Sequence, residues 1–159
     1  MVKVGIVMGS TSDMPVMEET CKLLKEFDIE YEVKILSAHR TPDEAIAYAR
    51  GAYDRGLRVL IAGAGGAAHL AGVLAGVTTL PVIGVPMSTN MMGGLDSLLS
   101  IVQMPSGVPV ATVAIGKAGC KNAALLALEI MGVYDKDIHD KLIVYKQNMK
   151  EKVLASTID

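Results

Sequence analysis

Residues 58–69 read Arg-Val-Leu-Ile-Ala-Gly-Ala-Gly-Gly-Ala-Ala-His, a short apolar run that passes into a glycine-rich loop. The run from Arg58 to Ala62 begins at a charged residue and stops at a glycine, which is typical of a strand buried inside a sheet. The small residues that follow indicate a helix from about Ala67. This stretch therefore predicts a strand–loop–helix unit with His69 at the end of its loop.

The alternation of strand and helix continues in both directions along the chain. The patterns predict strands at residues 3–8, 31–35, 58–62, 81–85 and 110–115, and helices at residues 14–27, from 42, from 67, 95–102, 119–131 and 136–154. Such alternation implies right-handed crossovers and a parallel sheet that is covered on both faces. We therefore predict a three-layer, flavodoxin-like α/β fold with a five-stranded parallel sheet and an extra C-terminal helix. We expect residues 1–159 to form a single domain.

The start of the second helix carries the clearest local signal. Thr41 can cap the helix, Pro42 suits its first turn, and Glu44 stands where a capping box requires it. The sequence therefore predicts that the Thr41 and Glu44 side chains close this helix end.

Charge and cysteine usage restrict the class of partner and the compartment. The net charge is −2 and the basic residues do not cluster, which argues against a nucleic-acid partner. Cys21 and Cys120 lie far apart and fit no metal spacing, so we predict free thiols in a reducing compartment. The strand pattern begins at Lys3 and leaves no room for a signal peptide, so we expect a cytoplasmic protein.

The middle of the chain is almost without charge, because Asp96 is the only charged residue between Arg58 and Lys117. A membrane span is excluded there, since glycine, proline and threonine interrupt every apolar run. A monomer of this size can hardly bury so many uncharged residues. We therefore expect part of the segment to lie in an interface of a homo-oligomer.

The loops after the first two strands carry candidate binding groups, because ligands of such sheets bind beyond the carboxyl ends of the strands. Residues 9–13, Gly-Ser-Thr-Ser-Asp, precede a helix and form either an anion site or a simple cap by Ser12 or Asp13. In residues 37–40, Ser-Ala-His-Arg, His39 can exchange a proton near neutral pH and Arg40 can clamp a phosphate.

The later loops add further candidates. The glycine loop at residues 63–69 permits close approach of its backbone to a ligand, or close packing of helix on sheet. Residues 87–96 are polar, contain glycine and carry no charge except Asp96, which is typical of a loop that shapes a small-ligand pocket. Asp96 can instead cap a helix. Lys117 is either an anion contact or an ordinary surface lysine, and His139 is expected to be solvated. The loops together predict a pocket for a phosphorylated small molecule, and they do not identify the reaction.

Four segments together resemble the 5-(carboxyamino)imidazole ribonucleotide mutases (class I) of purine biosynthesis. The matching segments are Val7-Met8-Gly9-Ser10 with Ser12-Asp13, Ser37-Ala38-His39-Arg40-Thr41-Pro42, the run from Ala62 to Leu70, and Asp96-Ser97-Leu98 with the run from Ser100 to Pro105. The resemblance covers nearly the whole chain in order. The sequence departs from the family pattern at Ala71, where proline is expected, and in the looser loop at residues 90–94.

The resemblance implies an isomerase that moves a carboxylate from the exocyclic amine to ring carbon 4 of an aminoimidazole ribonucleotide. It implies an octamer, no cofactor, no metal, and functional coupling to the ATP-dependent synthase that makes the substrate. His39 would be the general acid and base, and His69 would orient the reacting groups. The substrate-binding residues would be Ser10, Ser12, Asp13 and Arg40 for the ribose phosphate, and Ser37, Ala38, Gly65 and Leu70 for the base and carboxylate.

Two rival functions remain open at the level of sequence. A related carboxylase places free carbon dioxide on aminoimidazole ribonucleotide, but that branch tends to carry lysine where this chain has Arg40 and differs around Gly65 and Gly66. A noncatalytic nucleotide-binding module of the same fold would need the phosphate site but not His39.

Overall fold

The computed structural model describes residues 3–157, in which five strands and six α-helices follow one another along the chain. The elements are β1 (Val4–Met8), α1 (Met14–Glu26), β2 (Tyr31–Ile35), α2 (Pro42–Arg50), β3 (Val59–Ala64), α3 (Leu70–Ala75), β4 (Val82–Pro86), α4 (Leu95–Val102), β5 (Ala111–Thr112), α5 (Gly116–Gly132) and α6 (Lys136–Leu154), with a 3-10 turn at Thr11–Asp13 before α1.

The sheet is parallel throughout and its strands lie in the order β2-β1-β3-β4-β5. This confirms the predicted flavodoxin-like fold. The last residue of β1, Met8, is in register with Ile35 of β2 on one side and with Gly63 of β3 on the other. The chain order reverses on either side of β1, so the loops after β1, β2 and β3 diverge and leave a crevice at this edge of the sheet.

Helices cover both faces of the sheet, as predicted. One apolar cluster joins α1, α5 and α6 to one face of the sheet, and the other joins α2, α3 and Ile101 of α4 to the opposite face. Alternate residues of β1 serve the two clusters, because Ile6 and Met8 belong to the first and Val7 to the second. The extra C-terminal helix α6 inserts Ile138 and Leu142 into the first cluster.

Several predicted boundaries are wrong by a few residues. The third helix begins at Leu70 rather than Ala67, because residues 66–69 form tight turns in which Ala68 N–H donates to Gly66 O and His69 N–H to Ala67 O. Helix α5 begins three residues before the predicted Gly119. The fifth strand has only two residues, Ala111 and Thr112, which pair with Ile83 and Gly84 of β4.

The predicted capping box at the start of α2 is also wrong. Thr41 occupies the capping position, but its side chain makes no capping hydrogen bond. Its hydroxyl instead accepts from Ser37 N–H at 2.9 Å and lies 3.2 Å from Ser37 O, to which it donates. The hydroxyl therefore closes the 37–41 loop, and Glu44 has no threonine partner with which to form the box.

The structure confirms that both cysteines are free thiols. Both are buried in the apolar cluster that α1 and α5 form with the sheet, and Cys120 Sγ lies 3.6 Å from Met17 Sδ. Burial raises the pKa of the Cys120 thiol to about 11, so the protonated, weakly nucleophilic form dominates at neutral pH. Within residues 3–157, no helix combines the length and the apolar character that a membrane crossing requires.

Candidate active site

A cleft of about 400 Å³ lies at the crevice beyond the carboxyl ends of β1, β2 and β3. Its volume falls in the range of about 300–1,000 Å³ that is usual for small-molecule sites. The lining residues come from the loops after these three strands and are Gly9, Ser10, Ser12, Asp13, Ser37, Ala38, His39, Arg40, Ala64, Gly65, Ala67, His69 and Leu70.

All ten residues that the sequence predicts for the site line this one cleft. The structure therefore brings together the groups that the loop positions and the resemblance selected. Three further lining residues, Gly9, Ala64 and Ala67, were not predicted from the sequence. Gly9 and Ala64 are adjacent in the chain to selected residues, and Ala67 lies between Gly65 and His69. Each has little or no side chain, so no chemical signal distinguished it from its neighbours.

The two loop histidines meet at the cleft. His39 Nε2 lies 2.8 Å from His69 Nδ1, and the two rings stand nearly perpendicular at an interplanar angle of 81°. Both side chains reach solvent. A hydrogen bond between two imidazole nitrogens requires one donor and one acceptor, so the tautomers of the two rings are linked. A proton gained or lost by one ring therefore changes the hydrogen bond between the two rings.

The loop after β1 forms a hydroxyl-lined turn at the entrance to α1. Ser10 Oγ accepts from Ser12 N–H at 3.2 Å and from Ser12 Oγ at 2.9 Å. Neither Ser12 nor Asp13 is the capping group, because Ser10 caps the 3-10 turn and Asp13 makes no capping hydrogen bond. Two hydroxyls at a helix N-terminus are suited to binding an anion.

Arg40 provides the positive charge of the cleft. Its Nη2 donates to Gly9 O and its Nε donates to Ser37 Oγ at 3.4 Å. These contacts hold the guanidinium between the loops after β1 and β2, next to the Ser10 turn. A guanidinium can form two parallel hydrogen bonds to a phosphate group, so this side of the cleft is the site that best fits a phosphate.

Asp13 lies half-buried on the same side of the cleft. Burial raises the pKa of its carboxyl group above the ordinary value of 3.8. The nearby N-terminus of α1 favours the carboxylate, but the loss of hydration outweighs this effect. The carboxylate is therefore held at some cost to the fold, which is typical of a functional residue.

We expect Asp13→Asn to raise the melting temperature at neutral pH. Because the folded-state pKa lies above the unfolded value, ionised Asp13 destabilises the folded chain at pH values above that raised pKa. Below 3.8 the carboxyl group is protonated in both states, so the difference should disappear. Thermal melts of both proteins at neutral and acidic pH would test this. The exposed Asp54 offers a matched control, and an Asp13→Asn protein that melts no higher than the wild type at neutral pH would contradict the prediction.

Other candidate residues do not line the cleft. Lys117 is exposed and its charge acts on Glu19 of α1. Asp96 sits in the first turn of α4, where Oδ1 accepts from Thr89 Oγ1 at 2.7 Å. The prediction that residues 87–96 shape the pocket is therefore wrong for a single chain, since Thr89 and Asp96 bond to each other behind the glycine loop. His139 is exposed on α6, as expected.

A larger groove of about 850 Å³ lies at the turn between α5 and α6. Its charged groups are already engaged with one another, because Lys146 pairs with Glu129 and Lys136 pairs with Asp140. It is remote from the carboxyl ends of the strands. The smaller cleft, with its two histidines, its arginine and its serine hydroxyls, is the better candidate for chemistry.

The whole chain is similar to known proteins of one family. The family model described as AIR carboxylase matches residues 3–152. An N5-carboxyaminoimidazole ribonucleotide mutase of Pyrococcus horikoshii is 61% identical over 150 residues, which are 94% of this chain and 84% of that protein. The protein of the same name from Bacillus subtilis is 56% identical over 154 residues, which are 97% of this chain and 95% of that protein.

A solved structure supports the same assignment. The crystal structure of Treponema denticola PurE superposes with a TM-score of 0.87 at 35% sequence identity, and the match covers 97% of this chain and 95% of that one. The family model, the relatives and the solved structure all extend over nearly the full length. The chain therefore belongs to the AIR carboxylase family.

Proposed function

We propose that this protein is an isomerase of de novo purine biosynthesis that moves a carboxylate from the exocyclic amine to ring carbon 4 of an aminoimidazole ribonucleotide. Its relatives at 61% and 56% identity carry the name of that mutase. The observation in the structure that carries the proposal is the contact between His39 and His69 in the cleft that the Ser10–Ser12 turn and Arg40 also line. The reaction needs a proton carrier and a binding site for the phosphate group of the substrate.

The phosphorylated end of the substrate would lie between Arg40 and the Ser10–Ser12 turn. Asp13 would accept hydrogen bonds from the ribose hydroxyls, for which an ionised carboxylate is well suited. This arrangement would place the imidazole ring against the remaining lining residues of the cleft, Ser37, Ala38, Gly65 and Leu70. The reacting atoms would then be next to the two histidines.

The first step would be protonation of the exocyclic nitrogen by His39. The carbon–nitrogen bond of the carbamate breaks, its electron pair stays on nitrogen, and carbon dioxide is released into the cleft. A histidine exchanges protons at neutral pH without a large change in driving force, so it is suited to this role. His69 would orient the His39 ring through their hydrogen bond.

The second step would form the new bond. The freed aminoimidazole is an electron-rich enamine, so ring carbon 4 attacks the retained carbon dioxide. Loss of the proton from carbon 4 to His39 restores aromaticity and returns the histidine to its starting state. Atoms and charges balance without an oxidant or a reductant, so we propose that no cofactor takes part. Retention of the two fragments in one cleft gives a high effective concentration.

The glycine loop has a narrower role than its sequence indicates. Its backbone N–H groups could stabilise carboxylate charge, but the N–H of Gly66 already donates to Ser97 Oγ at 2.9 Å. Only the neighbours of Gly66 that line the cleft, such as Gly65 and Ala67, remain for that purpose.

An isotope experiment tests the proposed reaction. The carbamate ribonucleotide would carry a labelled carboxyl carbon, and the buffer would contain excess unlabelled bicarbonate. We expect the label on ring carbon 4, because the carbon dioxide is transferred within the cleft. Product with mainly unlabelled carbon would favour the carboxylase that uses free carbon dioxide. Failure of folded protein to form any product would favour the nucleotide-binding module.

We also propose that the chain works as a homo-oligomer, an octamer by its resemblance to the family. Helix α4 supports assembly, because Leu95, Leu99 and Val102 form one apolar face and are 47%, 50% and 46% exposed. An exposed apolar face of this kind is typical of a protein–protein interface. Light scattering should give a mass well above one chain for the wild type and a lower mass for Leu99→Lys. A monomeric wild type would contradict the proposal.

The domain organisation, the compartment and the functional partner of the protein are further parts of the proposal. We propose that residues 1–159 act as one catalytic domain in the cytoplasm. The synthase that makes the labile carbamate is the expected functional partner, because direct transfer would protect the substrate from loss of carbon dioxide.

A further inference from the structure

Ser97 is a fully buried polar residue on α4, with a relative exposure of 0%. Its hydroxyl donates to Met87 O at 2.7 Å and accepts from the N–H of Gly66 at 2.9 Å. One side chain therefore joins three segments, namely α4, the end of β4 and the glycine loop after β3. A buried hydroxyl with both a donor and an acceptor contact is a strong local constraint.

Ser100 reaches the other side of the same peptide segment. Its hydroxyl lies 3.1 Å from Gly66 O and 2.8 Å from Asp96 O. The hydroxyl has one proton, so these two carbonyl oxygens compete for it. Gly66 is therefore held firmly at its N–H by Ser97 and more weakly at its carbonyl group by Ser100.

The position of Gly66 determines the path of the chain to His69. Gly66 has a φ of +68°, which favours glycine, and its carbonyl group also accepts from Ala68 N–H at 2.8 Å. This tight turn leads directly to His69, whose ring contacts His39 at 2.8 Å. Gly65, Ala67 and His69 line the cleft, whereas Ser97 lies behind them and does not.

We infer that Ser97 is a positioning residue, which fixes the Gly66 peptide and thereby sets the His69 ring against His39. The inference rests on the proposed function, because it assigns a role within the same site. The sequence offers only a weak signal for this role, a serine at a buried position of an otherwise apolar helix.

The test compares Ser97→Ala with the wild type. We expect kcat to fall by about 10- to 100-fold, since a shift of about 1 Å in catalytic geometry can have an effect of that order. KM should change little, because the phosphate and ribose contacts lie on the other side of the cleft. The pH profile of kcat should also move, since the contact between the two imidazoles changes. Ser97→Thr keeps the hydroxyl and should restore most of the activity.

Ile101→Val is the matched control. Ile101 is buried one turn further along the same helix and packs near Gly84 of β4. The substitution should lower the melting temperature and leave kcat and the pH profile unchanged. A Ser97→Ala protein with the kcat and pH profile of the wild type would overturn the inference. It would also be overturned if Ile101→Val reduced kcat as much at equal loss of stability.

Two further measurements cover the cases in which Ser97→Ala does not fold or the wild type is inactive. If Ser97→Ala does not fold, Ser97→Cys replaces it, because a thiol donates and accepts only weak hydrogen bonds. We then expect a several-fold fall in kcat, while an unchanged kcat contradicts the inference. If the wild type itself does not convert the carbamate ribonucleotide, the proposed function fails. The inference is then judged by histidine NMR: Ser97→Ala must shift the His69 imidazole signals and leave those of His139 in place, and unshifted His69 signals overturn it.

Discussion

His39→Asn is expected to lower kcat by about 100- to 10,000-fold, the usual contribution of a general acid or base. Asparagine is polar and smaller than histidine, so it fits the exposed position of His39, but it cannot exchange a proton near neutral pH. Binding of the ribonucleotide through its phosphate should survive, because Arg40 and the Ser10–Ser12 turn are unchanged. Steady-state kinetics and calorimetric titration with the product ribonucleotide would measure the two effects separately.

The chain provides its own control for this substitution. His139 is an exposed histidine on α6, away from the cleft, and His139→Asn should leave both kcat and binding unchanged. His69→Asn should fall between the two variants, because His69 orients the reacting groups in our proposal. Full turnover by His39→Asn would show that His39 is not the proton carrier, and loss of binding together with turnover would show that it also holds the substrate.

Gly119→Ala is expected to have the largest effect on stability. A Cβ atom at this position would lie 1.6 Å from Ala114 O, which belongs to the backbone. No change of rotamer can relieve such a contact, so the start of α5 must move away from the backbone of Ala114, which lies between β5 and α5. Overpacking usually costs about 1–3 kcal/mol, and a clash with backbone should place the loss of unfolding free energy at about 3 kcal/mol or above. Urea denaturation would measure it.

Gly132→Ala is the matched control in the same helix. A Cβ atom there would meet its nearest neighbour, Leu142 Cδ1, at 3.4 Å, which is ordinary contact. Alanine also favours a helix over glycine by about 1 kcal/mol, so the variant should be about as stable as the wild type or slightly more stable. If Gly119→Ala were no less stable than Gly132→Ala, the close approach of Ala114 to α5 would be refuted.

Gly119 also shows why the predicted boundaries were less accurate than the predicted elements. The apolar pattern identified the helix, because every third or fourth residue faces the sheet. It placed the start at Gly119, whereas α5 begins at Gly116, which has a φ of +71°. Glycine is an ambiguous signal, since it can end a loop, begin a helix or permit close packing. Only the contact with Ala114 shows that packing is the reason here.

Capping was predicted poorly for a similar reason. A threonine before Pro42 matches the capping pattern, but its hydroxyl bonds back to Ser37. Both arrangements satisfy the hydroxyl group equally well, and the choice depends on how the 37–41 loop closes. That closure holds His39 and Arg40 at the cleft, so the departure from the local rule occurs at a functional loop, where such departures are expected.

The order of strands and helices, the two covered faces of the sheet, and ten of the thirteen residues that line the cleft could be predicted from the sequence. The elements follow from hydrophobic periodicity, and the loops that border the cleft follow from the rule that parallel strands end at one edge. The choice of Ser37, Ala38, Gly65 and Leu70 within those loops rests on the resemblance to the family. Tertiary structure alone decided the contact between His39 and His69, thirty positions apart, and the bond from Gly66 to Ser97. Those contacts depend on the angles between packed elements and on the closure of their loops, which no local pattern encodes.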